Sequence, residues 1–200
     1  MNPAPPASPN PAGTPYPLVL DALHRRAAAG RLVASPTGHV LASTVALPDA
    51  PPGPLTRFGL AVAEATPESA FGEGPAADRF ASALLPAHRE LLDTTLSHAL
   101  RHLEGRTSGD TTLLAKQLVV GQLADIALRL AEDAFVPEVR RHTDRYARWR
   151  CHLRLVDIGR DLLRLLGASG FLADGPAGDL HLAEVVGNVY LHPDTENADD

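Results

Sequence analysis

Residues 79–105, RFASALLPAHRELLDTTLSHALRHLEG, decide the fold. Ala81, Leu84, Leu85, His88, Leu91, Leu92, Leu96, Ala99 and Leu103 advance mostly in steps of three and four, which gathers them on one face of a helix. Pro86 predicts a kink or a helix that begins there, and Gly105 and Gly109 end it. The same spacing recurs downstream. After a cap at Asp110 or Thr111, the residues Ala115, Val119, Leu123, Ile126 and Leu130 share a face that runs out near Phe135. A third, long helix opens at Pro137, is lined by Cys151, Leu155, Ile158, Leu162 and Leu165, and closes at Gly167. A last helix spans about 179–190 with Leu182, Val185, Val186 and Val189. Short links between long amphipathic helices predict a mainly α protein, with residues 76–192 helical throughout and packed as an antiparallel four-helix bundle. Its expected core includes Leu92, Leu96, Val119, Leu123, Ile126, Leu155, Ile158 and Leu162.

Upstream the pattern changes. Residues 1–16, MNPAPPASPNPAGTPY, have no apolar period and read as a disordered or polyproline-like tail. Residues 17–75 form a small α/β appendage. Leu18 to Ala29 reads as a short helix ended by Gly30, and residues 31–35 and 39–47 as strands around Pro36-Thr37-Gly38. Four prolines between 48 and 54 argue against regular structure there, and 58–63 reads as another strand. The acidic stretch 193–200 reads as a disordered tail.

Composition excludes several classes of function. Apolar residues make up 44% but aromatics only 4%, so Leu, Ala and Val must fill the interior, which suits closely packed helices. A formal net charge of −6 argues against non-specific nucleic-acid binding. No apolar run approaches the roughly 20 residues that cross a bilayer. The N-terminus carries no signal-peptide pattern, and the single Cys151 allows no internal disulfide. These features predict a soluble, cytoplasmic protein.

Two stretches at the helix junctions carry a resemblance. Arg106 is followed by Gln117 and then by Leu123-Ala124-Asp125-Ile126, and the third helix ends in Arg164-Leu165-Leu166-Gly167-Ala168-Ser169-Gly170-Phe171. In order and spacing they resemble the C-terminal helical domain of acyl-CoA dehydrogenases. That family has Arg, two residues, Phe-Gly, Gln and Leu-Ala-Asp-Met at the first junction, and Gln-x-x-Gly-Gly-x-Gly-Phe/Tyr at the end of the third helix. The resemblance covers about residues 76–192. It implies homo- or hetero-oligomers joined through the bundle, an acyl thioester ligand, and FAD whose diphosphate meets an arginine from a neighbouring subunit. Carried over, that arginine is Arg106, with Arg164, Gly167 and Gly170 at the second motif. An arginine in a glycine-containing junction suits phosphate because its fork binds bidentately. The alternative is a helix-end arginine that offsets the dipole.

The departures bear on chemistry. The catalytic Glu of the family falls on Leu191, which cannot accept a proton. The base that some members carry on the first helix falls on Phe80, between Asp78 and Arg79. Gly109 and Asp110 stand where the family has Phe-Gly, Arg164 where it has Gln, and Ala168 where it has its second Gly. The domains that seat the flavin do not fit into 75 residues, although the strands of 31–63 could be a remnant of the β-domain. Asp78 and His192 are the remaining candidates for a base, His192 because it follows Tyr190 at the position of the catalytic loop of the family.

Other constellations favour structural roles. His98 and His102 lie four apart, the spacing that can share a metal, but no third ligand is evident. Cys151 sits among core leucines. Arg140, Arg141, Arg145, Arg148, Arg150 and Arg154 wrap more than one helix face and read as a solvated side with acidic partners, part of which could serve an interface or an anionic carrier. Two functions are carried forward. One is a partner subunit that lends the oligomer interface and Arg106 to a flavin-dependent acyl-CoA or acyl-carrier dehydrogenase. The other is a stand-alone non-redox isomerase, dehydratase or cyclase on the same fold.

Overall fold

A computed structural model describes residues 14–66, 70–72, 74–135, 144–168 and 175–193. Five helices dominate it. α1 is Tyr16–Ala28, α2 Pro75–Glu104, α3 Gln117–Phe135, α4 Arg145–Leu166 and α5 Pro176–Leu191. The fold is mainly α, as the periodicity predicts.

Local chemistry sets most ends. α1 stops where Ala29 turns left-handed at φ 47° and Gly30 follows at φ 92°. α2 starts behind Gly74 with Pro75 in its first turn, where a missing N–H costs nothing. It then runs through Pro86 for 30 residues, about 45 Å. The helix therefore does not begin at Pro86; the flanking Leu84, Leu85 and His88 are buried together and hold it across the lost hydrogen bond. Asp144 caps α4 by accepting the Tyr146 N–H at 2.9 Å. The expected start of that helix at Pro137 lies outside the described residues. α5 begins with Pro176.

The bundle is not helical throughout. Between α2 and α3 a hairpin pairs β5 (Thr107–Ser108) with β6 (Thr111–Thr112), and a 3-10 turn at 113–115 follows. Gly109 at φ 67° takes the first central position of the two-residue loop, as a type II′ turn requires. Asp110 and Thr111 therefore belong to the hairpin rather than to a helix cap, and α3 starts later than its apolar pattern suggests.

Cross-contacts give the helix directions. Arg148 meets Asp78, and Gly159 sits beside Leu92, so α2 and α4 run parallel. Arg129 of α3 bonds Asp161 and Arg154 faces Asp133, so α3 runs against α4. His152 meets Asn188 while Arg160 meets Glu184, so α5 also runs against α4. The result is an up-down-up-down bundle. Of the eight expected core residues, Leu92, Leu123, Ile126, Leu155, Ile158 and Leu162 are buried, whereas Leu96 and Val119 are half-buried.

The N-terminal segment shares this core. Leu20, Leu23, Ala27 and Ala28 of α1 join Phe80, Leu84 and Tyr190 in one apolar cluster. β2 (His39–Ser43) pairs antiparallel with β3 (Leu60–Glu64). The two strands around Pro36-Thr37-Gly38 do not pair as a hairpin. β1 (Leu32–Val33) instead lies parallel to β4 (Ala70–Phe71). No described helix is long and apolar enough to cross a membrane.

Candidate functional site

The N-terminal turns of α2 and α4 meet the last turn of α5 at one end of the bundle, and both catalytic positions of the resemblance fall there. Leu191 is buried in the apolar core at 5% exposure. Phe80 is fully buried, stacked on His24 at 4.3 Å and met edge-on by Tyr190 at 4.8 Å. Both positions are packing sites.

Around them lies a satisfied polar network. The Tyr190 hydroxyl accepts the Leu41 N–H at 2.9 Å and donates to the Val33 carbonyl at 3.0 Å. His24 Nδ1 accepts the Val33 N–H at 3.0 Å, which leaves the proton on Nε2, 2.8 Å from the Leu41 carbonyl. Burial pushes the His24 pKa down and the Tyr190 pKa up, so both stay neutral. A tyrosine and a histidine this well bonded anchor α1 and α5 to β1 and β2 rather than offering a free proton carrier.

A cleft of about 590 Å³ opens beside this network, bordered by Ser35, Asp78, Arg145, Arg148 and Tyr190. The Arg148 side chain is only 7% exposed. It donates to Asp78 Oδ1 at 3.2 Å and to Ser82 Oγ at 3.4 Å. Asp78 thus serves as the partner of a buried guanidinium, whose charge would otherwise be costly to bury. His192 is exposed and rests edge-on against Trp149 at 4.8 Å.

The expected cofactor contacts occupy the opposite end. Arg106 lies 28 residues beyond Asp78 along α2 and its junction, a helical rise of about 42 Å. Its guanidinium is exposed and touches His102 Nε2 at 3.3 Å, and it forms no ion pair among the described residues. Its backbone is held from both sides, by Leu103 at 3.4 Å and Leu113 at 2.7 Å. Arg164 differs: it pairs with Asp161, whose second oxygen holds Arg129 at 2.6 Å. Gly167 caps α4 at φ 59°, a conformation that favours glycine. Gly170 lies outside the described residues. One chain therefore keeps the positions aligned with catalysis and those aligned with FAD at separate ends.

The remaining described candidates lie on α2 and α4. His98 and His102 stack with centroids 6.3 Å apart, and no group of three metal-binding side chains occurs among the described residues. Cys151 is buried. Arg150 and Arg154 face Asp144 and Asp133 at 4.0 and 3.9 Å, while Arg140 and Arg141 lie outside the described residues. Arg148 escaped the solvated-face reading, though its spacing to Cys151 and Leu155 places it on the buried stripe.

No protein-family model matches the chain, and no curated protein does. Solved structures do. Acyl-CoA dehydrogenase from Geobacillus kaustophilus superposes with a TM-score of 0.52 at 13% identity, covering 77% of this chain and 45% of that one. Butyryl-CoA dehydrogenase from Megasphaera elsdenii gives 0.53 at 10% identity, with the same coverage of each. The fold is that of the acyl-CoA dehydrogenases. The chain spans less than half the length of these dehydrogenases, and at such identity the likeness is one of fold. A match over 77% of the chain takes in more than residues 76–192, so the acyl-CoA dehydrogenase fold extends into the N-terminal segment.

Proposed function

We propose that this chain is a partner subunit of an oligomeric, flavin-dependent acyl-CoA or acyl-carrier dehydrogenase, to which it lends a bundle surface and Arg106. The observation that carries this is the exposed, ion-pair-free Arg106 guanidinium beside a helix, α3, that leaves Leu118, Val120 and Leu128 exposed at 74%, 49% and 58%. Apolar surface next to an uncommitted cation suits an interface that ends on an anion.

FAD fits this chain in part. Arg106 can hold one side of a diphosphate, Gly167 keeps the neighbouring helix end open, and Arg164 is committed to Asp161. FAD bound by the complex supplies the redox chemistry. This chain positions its diphosphate and covers apolar surface, and it takes no proton from an acyl thioester, because Leu191 and Phe80 are buried hydrocarbon. That carboxylate belongs to the partner. Residues 17–75 are then a remnant of the β-domain, and the complex is cytoplasmic.

The test is FAD affinity by fluorescence quenching, with the chain alone and assembled with a full-length flavin-binding homologue. The chain alone should not retain stoichiometric FAD. In the complex Arg106→Ala should cost about 1.5–3 kcal/mol, as for a charge-assisted hydrogen bond. Arg106→Lys should recover only part of it, since an ammonium lacks the bidentate fork. Equal affinities in all three proteins would reduce Arg106 to a helix-end residue, and acyl-substrate turnover without flavin would favour the non-redox enzyme.

A further inference from the structure

A second cavity, on the other side of the bundle core from α3, is unexplained by the subunit role. It opens between α4 and α5 beneath the 3-10 turn at 56–58, encloses about 510 Å³, and is walled by Phe58, Val156, Leu163 and Leu180. That volume lies within the ~300–1,000 Å³ of small-molecule sites. His88 of α2 borders it. The residue is 3% exposed, and the His152 ring lies beside it at a centroid distance of 5.7 Å. Its imidazole puts a polar group on the cavity wall.

The charges at the rim are unequal. Arg160 and Glu184 pair at 2.7 Å and offset one another. Arg57, exposed and lying over the Phe58 ring at 4.6 Å, has no carboxylate partner among the described residues. His181 flanks Phe58 at 5.5 Å. Ala177 and Gly178, in the first turn of α5, also border the cavity, so the positive end of that helix faces it.

We infer that this cavity binds a small aliphatic carboxylic acid bearing a hydroxyl or carbonyl group, with the chain against Leu163 and Leu180, the carboxylate toward Arg57 and the second oxygen hydrogen-bonded to His88. Burial and the neighbouring His152 push the His88 pKa down to about 3. The ring is therefore neutral at physiological pH and offers one donor and one acceptor, which suits an uncharged oxygen better than an anion. The specificity lies in pairing a neutral polar group inside with a cation at the mouth.

Calorimetry of the full chain with 6-hydroxyhexanoate, hexanoate and 1,6-hexanediol tests it. 6-Hydroxyhexanoate should bind best, hexanoate about fivefold more weakly, and the diol tenfold or more weakly, reflecting a neutral and a charge-assisted contact. Arg57→Gln, at the exposed rim, should remove the advantage of acid over diol. His88→Phe should remove the advantage of hydroxy-acid over plain acid; if it unfolds, His88→Gln replaces it. Failure of all three probes to bind, or an Arg57→Gln profile equal to wild type, overturns the proposal. Neither result bears on Arg106.

Discussion

Single residues carry much of the specificity of this fold. Gly187 of α5 leaves room for the His152 ring: a Cβ there would lie 2.1 Å from it. The ring is fixed by Asn188 at 3.1 Å and by Trp149 at 5.4 Å, so it cannot yield. Gly187→Ala should lower stability by roughly 1–3 kcal/mol despite the better helix propensity of alanine. Gly121 of α3, with nothing within 4 Å of its Cβ position, should gain up to about 1 kcal/mol on the same change. Thermal unfolding of the two variants should shift in opposite directions, and shifts of one sign would contradict the packing described. The buried histidines add a pH dependence. His24, His88 and His152 all have lowered pKa values, with desolvation the largest cause. Each is neutral when folded and protonates in the unfolded chain below about 6.5, so unfolding takes up protons and acid destabilises the fold. Denaturant midpoints should hold near and above neutrality and fall as pH drops below about 6.5, with the His88 contribution continuing toward about 3. A midpoint that rises on acidification would refute the neutral assignment. The anchoring of Tyr190 to β1 and β2 was not legible in the sequence, because its bonds to Leu41 and Val33 span 149 and 157 residues.

Elements were more legible than their junctions. The three-four spacing of apolar residues located all four bundle helices, since a helix must turn one stripe inward whatever its neighbours. The hairpin at 107–112 escaped, because two-residue strands leave no period and only the turn chemistry of Gly109 betrays them. The strand partners of the N-terminal segment escaped for a related reason: β1 pairs with a segment 38 residues further on. α3 is the element least satisfied by its own chain, with its large exposed residues facing outward from α4. If this surface meets another subunit, Leu118→Glu combined with Leu128→Glu should weaken self- or partner association about 100-fold, as two leucines lose their burial. Far-UV circular dichroism should stay unchanged, since both positions are exposed in the chain itself. Sedimentation of wild type and variant at micromolar concentration checks it, and identical profiles would remove α3 from the interface.

At the scale of the whole molecule, the division of labour matters most. The family motifs identified the fold correctly, because helix junctions constrain where glycine and charge can sit. The positions that carry chemistry in the resemblance are built differently here: Leu191 and Phe80 are core residues, and Asp78 is the partner of a buried arginine. What remains exposed and uncommitted, Arg106 and the apolar face of α3, lies at the end away from those positions. The most direct test is sedimentation velocity of the chain mixed with a full-length flavin-binding homologue, followed in the flavin absorbance band. A flavin-bearing species that sediments faster in the mixture than the homologue alone, with no flavin band on this chain by itself, is the expected result. A chain that carries stoichiometric flavin unaided, or that leaves the sedimentation of the homologue unchanged, would contradict it.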